Sequence, residues 1–303
     1  MTAPAAARVM RLVPPDPGAL PAHELEACLG ALSSAARRVR RGQDREAIHD
    51  LRVASRRLTA TLELWQPLLD ARGARRARRR VRRLRRALRP ARDGQVARAA
   101  LLERVAGVDP GTRAVLEALV ARLDRQLRRD TAASRSIAGR RRIRRIRRTV
   151  ARAIANGVAT PVDATALAAT ARAHVGKRRE VSQASIVTAA RERTPERWHQ
   201  ARLDIKRWRY AAECARLVLG DGAAEVTAVA ILRSAQDALG FVQDLEVQRT
   251  LVLRRAARAA AGGRTETTRL LTSLAGAIER EQHAAMDECY RLATTLSAGT
   301  TGF

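Results

Sequence analysis

An internal repeat relates the two halves of this 303-residue sequence. Residues 44–58 align without a gap with residues 194–208, at an offset of 150. A second pair, residues 88–96 and 239–247, aligns at an offset of 151. Two matched pairs in the same order, at nearly one offset, indicate a duplication. We therefore expect two homologous halves that fold alike.

The most linker-like segment lies near the middle of the sequence, where glycine and proline interrupt the helical pattern. We therefore expect one domain over residues 21–297, with a first half at 21–155 and a second half at 163–297. A flexible, proline-rich segment is predicted over residues 1–20, and a short tail over residues 298–303.

The periodicity of the apolar residues predicts helices throughout. Ala77, Val81, Leu84 and Leu88 recur at spacings of four, three and four, which is the stripe of a packed helix. Aromatic residues make up only 2% of the sequence, so that Ala, Leu, Val and Ile must fill the core, and this favours helices over strands. We predict an all-α fold of about ten to twelve helices without a sheet.

The charge of the chain predicts a polyanionic partner. Lys and Arg number 59 against 30 Asp and Glu, which gives a formal net charge of +29, and only Lys177 and Lys206 are lysines. Residues 1–150 hold most of the excess, with 37 cations against 14 anions. Arginine binds phosphate in a bidentate manner, and a surface that repels itself this strongly favours nucleic acid, an anionic membrane surface or polymeric phosphate as partner.

Several classes of protein do not fit the sequence. No run of about 18 apolar residues occurs, so we expect no membrane insertion. The first residues lack the pattern of a secretory signal. The three cysteines, Cys28, Cys214 and Cys289, are odd in number and widely spaced, which predicts core residues in a reducing cytoplasm rather than disulfides or a zinc site.

Each half carries the motif His-x-x-Arg-x-x-x-(Arg/Lys)-Arg. On a helix, the first, fourth and eighth residues of this motif lie within about 60° of arc and span about 10 Å. They are His49, Arg52 and Arg56 in the first half, and His199, Arg202 and Lys206 in the second. Repulsion within such a stripe of cations destabilises the helix unless anions or carboxylates lie beside it. Asp93 and Asp244 are candidates for orienting carboxylates, and the stripe is either a shared ligand site or a structural network between the halves.

The duplicated motif, together with Arg92-Asp93, resembles the CHAD domain, a helical domain named for its conserved histidines, over roughly residues 20–297. The resemblance implies two helical bundles related by pseudo-twofold symmetry, with a basic central channel that binds inorganic polyphosphate. It also implies association with polyphosphate granules in the cytoplasm. The sequence departs from the family pattern at Thr59, at Gly94-Gln95 and at Gln243.

The resemblance and the motif together give a set of candidate polyphosphate ligands. They are His49, Arg52, Arg56, Arg57, Arg92, His199, Arg202, Lys206, Arg207 and Arg209. A protonated histidine donates from both ring nitrogens, and a bound polyanion favours that form, so we expect tighter binding below about pH 6.5. Whether the helix that carries Arg72–Arg92 lines the channel stays open, as does the oligomeric state.

Two other functions compete with polyphosphate binding. A nucleic-acid-binding protein would have the same charge, but single-strand binding usually employs stacking aromatics, and five of the seven here are expected to pack within helices: Trp65, Trp198, Trp208, Tyr210 and Phe241. An enzyme is not expected, because no phosphate-binding glycine loop occurs and the acidic residues are scattered. We predict a binding protein without cofactor or metal, or an accessory module of a polyphosphate-metabolising enzyme.

Overall fold

The computed structural model of the chain describes residues 17–42, 46–157, 162–223 and 228–299. Over these ranges the chain forms ten α-helices, two short 3₁₀ turns and no strand, which confirms the all-α prediction. The helices are α1 Leu20–Arg41, α2 Ala47–Leu64, α3 Ala71–Ala87, α4 Arg89–Val105, α5 Pro110–Ile137, α6 Arg140–Ala155, α7 Ala164–Glu192, α8 Pro195–Leu219, α9 Val229–Ala261 and α10 Thr265–Gly299.

Side-chain caps start four of the described helices. Asp109 Oδ1 accepts a hydrogen bond of 3.0 Å from the Thr112 N–H, and Asp163 Oδ1 accepts one of 2.7 Å from the Ala166 N–H. Asp70 and Thr194 cap α3 and α8 in the same way. Each cap satisfies a backbone N–H that the first turn of a helix leaves without an intrahelical partner.

The predicted apolar stripes are buried. Ala77, Val81, Leu84 and Leu88 have no exposed surface, because this face of α3 packs on α2 and α6. All twelve arginines between residues 72 and 92 lie off that stripe. The net result is a helix that is apolar on one side and cationic on the others.

The buried side chains form two clusters, and each draws helices from both halves. The larger cluster joins α1, α2, α3 and α6 to α7, α8 and the start of α9. The smaller one joins α4 and α5 to α9 and α10. The two halves therefore share their hydrophobic core, and the helices that carry the repeated motif lie inside the shared packing.

The three cysteines, Cys28, Cys214 and Cys289, are free and buried, as expected for core residues. No helix in the described ranges has both the length and the apolar character that crossing a bilayer requires. Most of the predicted flexible segment over residues 1–20, the centre of the linker and the last residues of the tail lie outside the described residues. The pseudo-twofold relation, the domain limits and the basic channel stay predictions.

Candidate functional site

The two motif helices, α2 and α8, pack directly against each other. From residue 51 to 65 and from 201 to 215, every residue has the same burial as its partner 150 positions away: buried, half-buried or exposed. Leu51 and Leu58 are buried in the first half, as are Ala201 and Trp208 in the second. The repeat therefore places its cations in equivalent environments, and it places them on two helices in contact.

Arg56 connects the two motif helices. Its Nε donates a hydrogen bond of 3.1 Å to the Tyr210 hydroxyl on α8, and its guanidinium carbon lies 5.9 Å from the centre of the Tyr210 ring. One turn earlier, Arg52 Nη1 donates a bond of 3.0 Å to the carbonyl oxygen of Arg85 on α3. Both guanidiniums are half-buried and held in place by groups that carry no negative charge.

Lys206 is the counterpart of Arg56 and lies among several arginines. Burial lowers the pKa of Lys206 to about 7, and the positive charges of Arg56, Arg202 and Arg209 contribute further to this shift. Burial also lowers the pKa of Arg52 to about 10, with Arg56 as the next cause. Since Arg52 and Arg56 come from α2 and Lys206 from α8, the two stripes act on each other as one electrostatic unit.

Arg202 lies against α9 where that helix has a glycine. A Cβ on Gly240 would lie only 3.3 Å from Arg202 Nη2, so that the missing side chain gives the guanidinium its space. Within the described part of the chain, Arg202 Nε is buried without a hydrogen-bond partner. Such an unpaired donor on a buried cation costs free energy unless a ligand or water satisfies it.

Asp244 supplies negative charge among these cations. Burial raises the pKa of its carboxyl group, while the positive charges of Arg202, Arg92 and Lys206 lower it. Arg92 comes from α4 in the first half and Asp244 from α9 in the second, so this charge contact also crosses between the halves. The charge of Asp244 therefore lies among these cations, and its role as an orienting carboxylate stays a prediction.

The two motif histidines have different environments. His49 is half-buried at the start of α2, and burial, followed by the charges of Arg92 and Arg56, lowers its pKa below the usual value. His199 is exposed at the start of α8. Only His49 therefore lies inside the group of interacting cations.

Arg209 belongs to this group, although its partner in the repeat is Thr59. Its guanidinium donates hydrogen bonds of 2.8 Å to Glu213 Oε1 and of 3.1 Å to Gln236 Oε1. The guanidinium carbon also lies 4.6 Å from the centre of the Tyr210 ring. We call the assembled group the central cluster. It consists of His49, Arg52, Arg56, Arg85, Arg92, Arg202, Lys206, Arg209 and Asp244.

Four predicted site residues lie on the exposed surface instead. They are Arg57, Asp93, His199 and Arg207. Asp93 accepts a hydrogen bond of 2.9 Å from Arg89 Nε, and Arg207 Nη1 donates one of 2.5 Å to Asp204. Exposure leaves Arg57, His199 and Arg207 accessible to a long anionic ligand, while the central cluster forms the half-buried part of the candidate site.

The sequence reasoning missed several residues of the site. Arg85 on α3 is half-buried, and its pKa is lowered by burial first and then by Arg56. The C-terminal part of the arginine-rich helix therefore faces the central cluster, whereas Arg80, earlier in α3, faces Arg145 of α6. No pattern in the sequence distinguishes Arg85 from the arginines around it.

Two carboxylates at equivalent positions were also missed. Glu63 Oε2 accepts a hydrogen bond of 2.7 Å from Arg178, and Glu63 Oε1 lies 3.7 Å from Arg78 Nη1. Glu213 likewise accepts hydrogen bonds from two arginines. Extending the first alignment five residues beyond position 58 would have paired Glu63 with Glu213. These carboxylates hold arginines at the edge of the site, a role that was assigned to Asp93 and Asp244.

The expectation that five aromatics pack within helices is wrong for one of them. Phe241 is 50% exposed, because the buried face of α9 carries Leu239 and Val242, and Phe241 lies between these positions on another side. The four aromatics that are buried as expected are Trp65, Trp198, Trp208 and Tyr210. Among the described residues, no group of three or more His, Cys, Asp or Glu is arranged to hold a metal ion.

Comparison with known proteins gives the family and the fold. The sequence model of the CHAD domain family matches residues 23–253, well over half of the chain. The structure is similar to PptA from Streptomyces chartreusis, with a TM-score of 0.64 and 22% identity over 92% of this chain and 99% of that one. It is also similar to the CHAD domain from the plant Ricinus communis, with a TM-score of 0.62 and 24% identity over 88% and 91%. No curated protein is similar enough to count as a match.

Proposed function

Because this chain belongs to the CHAD domain family, we propose that it binds inorganic polyphosphate through the central cluster, in the cytoplasm and on polyphosphate granules. Within this proposal, the half-buried cations of α2 and α8 hold one part of the chain of phosphates. The exposed residues of the same two helices, Arg57, His199 and Arg207, hold the units that follow.

The observation that carries the proposal is the position of Lys206. Burial and the charges of four arginines lower the pKa of Lys206 to about 7. The charged form of this lysine therefore destabilises the folded protein. An anion that enters the central cluster would offset this cost and would also satisfy the orphaned Nε of Arg202. Strained electrostatics of this kind concentrate at functional sites.

A linear polyphosphate fits the composition of the site better than a nucleic acid does. Each phosphate unit carries about one charge and no base, so that binding needs many charge-assisted hydrogen bonds and no stacking surface. Four of the aromatic side chains are buried, and the one near the central cluster, Tyr210, already contacts Arg56 and Arg209. Stacking platforms for bases are therefore not a feature of this site.

The proposal is tested by titrating polyphosphates of defined length against duplex and single-stranded DNA at equal phosphate concentration. The critical variant is Arg52→Ala/Arg202→Ala, which removes one guanidinium from each motif helix. We expect it to weaken polyphosphate binding at least tenfold and to reduce the slope of log K against log salt by about one to two units.

The matched control is Arg113→Ala/Arg254→Ala, which removes the same charge from exposed positions of α5 and α9. We expect less than a threefold effect from it. Equal affinities of the wild type and the Arg52/Arg202 variant would show that the central cluster is not the site. Displacement of polyphosphate by DNA at equal phosphate concentration would show that the specificity is wrong.

We propose a binding role without phosphoryl transfer. The acidic residues near the site, Asp244, Glu63 and Glu213, are each engaged with cations, which suits the ordering of arginines rather than acid–base chemistry. Release of orthophosphate from polyphosphate by the purified protein, with magnesium or manganese added, would overturn this part of the proposal.

A further inference from the structure

A second cationic feature lies away from the central cluster, in the groove between α1 and α6. The groove contains a cavity of about 760 Å³, within the usual range for small-molecule sites. We propose that this α1–α6 groove binds a nucleoside di- or triphosphate. The proposal does not depend on polyphosphate binding by the central cluster.

The groove is long because both helices border it over most of their length. On α6 the bordering residues recur from Arg140 to Ile154 on one face, which is about 21 Å along the helix axis. Arg40 Nη1, near the end of α1, donates a hydrogen bond of 3.0 Å to the carbonyl oxygen of Ala138, just before α6. The two helices therefore run in opposite directions. The start of α6 therefore faces the end of α1.

One end of the α1–α6 groove is strongly cationic. An adjoining cavity of about 500 Å³ is bordered only by arginines, namely Arg37, Arg40, Arg41 and Arg140. No ion pair joins any of these four to a carboxylate in the described ranges. Burial and the other three arginines lower the pKa of Arg40, so the group repels itself. Two or three linked phosphoryl groups are the chemistry that this end accommodates.

The other end of the groove has apolar walls beside two arginines, Arg147 and Arg148, and one acidic residue. Leu29 is buried, Ile154 is half-buried, and Glu26 is the one carboxylate among the described residues that border the groove. An inorganic phosphate chain would gain nothing from apolar walls, and a hydrocarbon tail would leave the carboxylate without a hydrogen bond. A nucleoside suits both, because its base covers apolar surface and its hydroxyl or amine groups donate to Glu26. The planar guanidinium of Arg147 can stack on a base from the rim.

The α1–α6 groove is not a copy of the duplicated site. Among the described elements of the second half, α10 continues as one helix where the first half has α5 and then α6. The positions 150 residues after Arg37 and Arg40 hold Val187 and Ala190, which carry no charge. The groove is therefore specific to the first half, which also carries most of the excess charge.

The test measures binding of ATP, inorganic tripolyphosphate and adenosine by calorimetry, at fixed ionic strength and without divalent cations. Two variants address the two ends. Arg37→Ala/Arg140→Ala removes exposed charge, and Ala151→Phe fills the apolar end at an exposed position without changing charge. We expect each to weaken ATP binding at least tenfold, and Ala151→Phe to leave tripolyphosphate binding within threefold of the wild type.

The Arg52→Ala/Arg202→Ala variant serves as the control, and we expect it to change ATP binding less than threefold. Loss of ATP binding in this control would place the nucleotide in the central cluster and overturn the proposal. Tripolyphosphate binding as tight as ATP binding in the Arg52→Ala/Arg202→Ala variant, whose central cluster is weakened, would exclude a role for the apolar end. Absence of saturable ATP binding would reject the site altogether. None of these results decides whether long polyphosphate binds the central cluster.

Discussion

Arg56 Nε and the Tyr210 hydroxyl, which lie 154 residues apart in the chain, are joined by a hydrogen bond of 3.1 Å between α2 and α8. The guanidinium carbon of Arg209 lies 4.6 Å from the centre of the same tyrosine ring. One buried phenol thus positions a cation from each half of the repeat. Because neither contact neutralises charge, Arg56 keeps its full capacity to bind an anion, whereas Arg209 is also paired with Glu213.

Replacing this phenol should separate positioning from packing. We expect Tyr210→Phe to cost about 0.5–1.5 kcal/mol in unfolding free energy, since one hydrogen bond is lost while the ring remains. Polyphosphate affinity should fall severalfold, because Arg56 is no longer held in place. Tyr290→Phe is the matched control, as Tyr290 contacts Arg193 through its ring, at 4.1 Å. Equal affinities of both variants would show that Arg56 needs no positioning.

Lys206→Met should make the protein more stable and a weaker binder. The folded state lowers the pKa of Lys206 to about 7, whereas the unfolded chain has the ordinary value near 10.4, so between about pH 7 and 10 the unfolded state binds more protons. The penalty is therefore largest at and below about pH 7 and vanishes as pH rises towards 10. We expect a gain of about 1–3 kcal/mol at pH 7, smaller at pH 9.5, measured by urea unfolding at both pH values.

The same variant should lose polyphosphate affinity at least fivefold at pH 7. Lys177→Met is the control, because Lys177 is exposed on α7 and its replacement removes the same charge. A Lys206→Met protein that is less stable than the wild type at pH 7 would contradict the assignment of Lys206 as a strained cation.

Glu213→Gln should destabilise the fold through the arginines that it holds. Arg209 and Glu213 are only 14% and 15% exposed, and Arg233 donates to the same carboxylate oxygen. Loss of that charge leaves a largely buried guanidinium without its counterion, at a cost of about 1–3 kcal/mol by denaturant unfolding. Glu266→Gln is the control, since its pair with Arg269 is exposed to solvent and should contribute little to stability. Equal effects of the two substitutions would contradict this role of Glu213.

The sequence was sufficient for the helices and for the equivalence of the two motif helices. Apolar spacing predicted the stripe from Ala77 to Leu88, because a helix of fixed period must bury residues three and four apart. The offset of 150 predicted that the motif helices are equivalent, and the identical burial of residues 51–65 and 201–215 agrees with this. These properties follow from local periodicity and from duplication, both of which one sequence contains.

The composition of the central cluster could be predicted only in part. Arg52, Arg56, Arg202 and Lys206 belong to the motif. Arg85 joins them because α3 packs beside α2, and nothing in the sequence distinguishes it from the eleven other arginines between residues 72 and 92. Tyr210 contacts two members of the cluster, but its partner in the repeat is Ala60, so the duplication gives no signal for it. Which arginine faces inward depends on tertiary packing, for which the sequence has no separate signal.

Polyphosphate affinity should depend on pH in two separate ranges. The charge of Lys206 is lost as pH rises through about 7 in the free protein, and a bound polyanion favours the protonated form, so affinity should rise as pH falls from about 8.5 to 6.5. His49, whose pKa is lowered by burial and by Arg92 and Arg56, contributes only below its usual value. The tightening expected below about pH 6.5 from the histidines therefore adds to an earlier one from the lysine.

Two substitutions separate these ranges when the dissociation constant is measured from pH 5.5 to 8.5 at constant ionic strength. Lys206→Arg keeps its charge throughout and should flatten the profile above pH 6.5, whereas His49→Gln should flatten it below. His283→Gln, at an exposed position of α10, is the control and should leave both ranges unchanged. A wild-type profile that is flat over the whole range would mean that neither Lys206 nor His49 takes up a proton when polyphosphate binds, and the central cluster would then be a structural network between the halves.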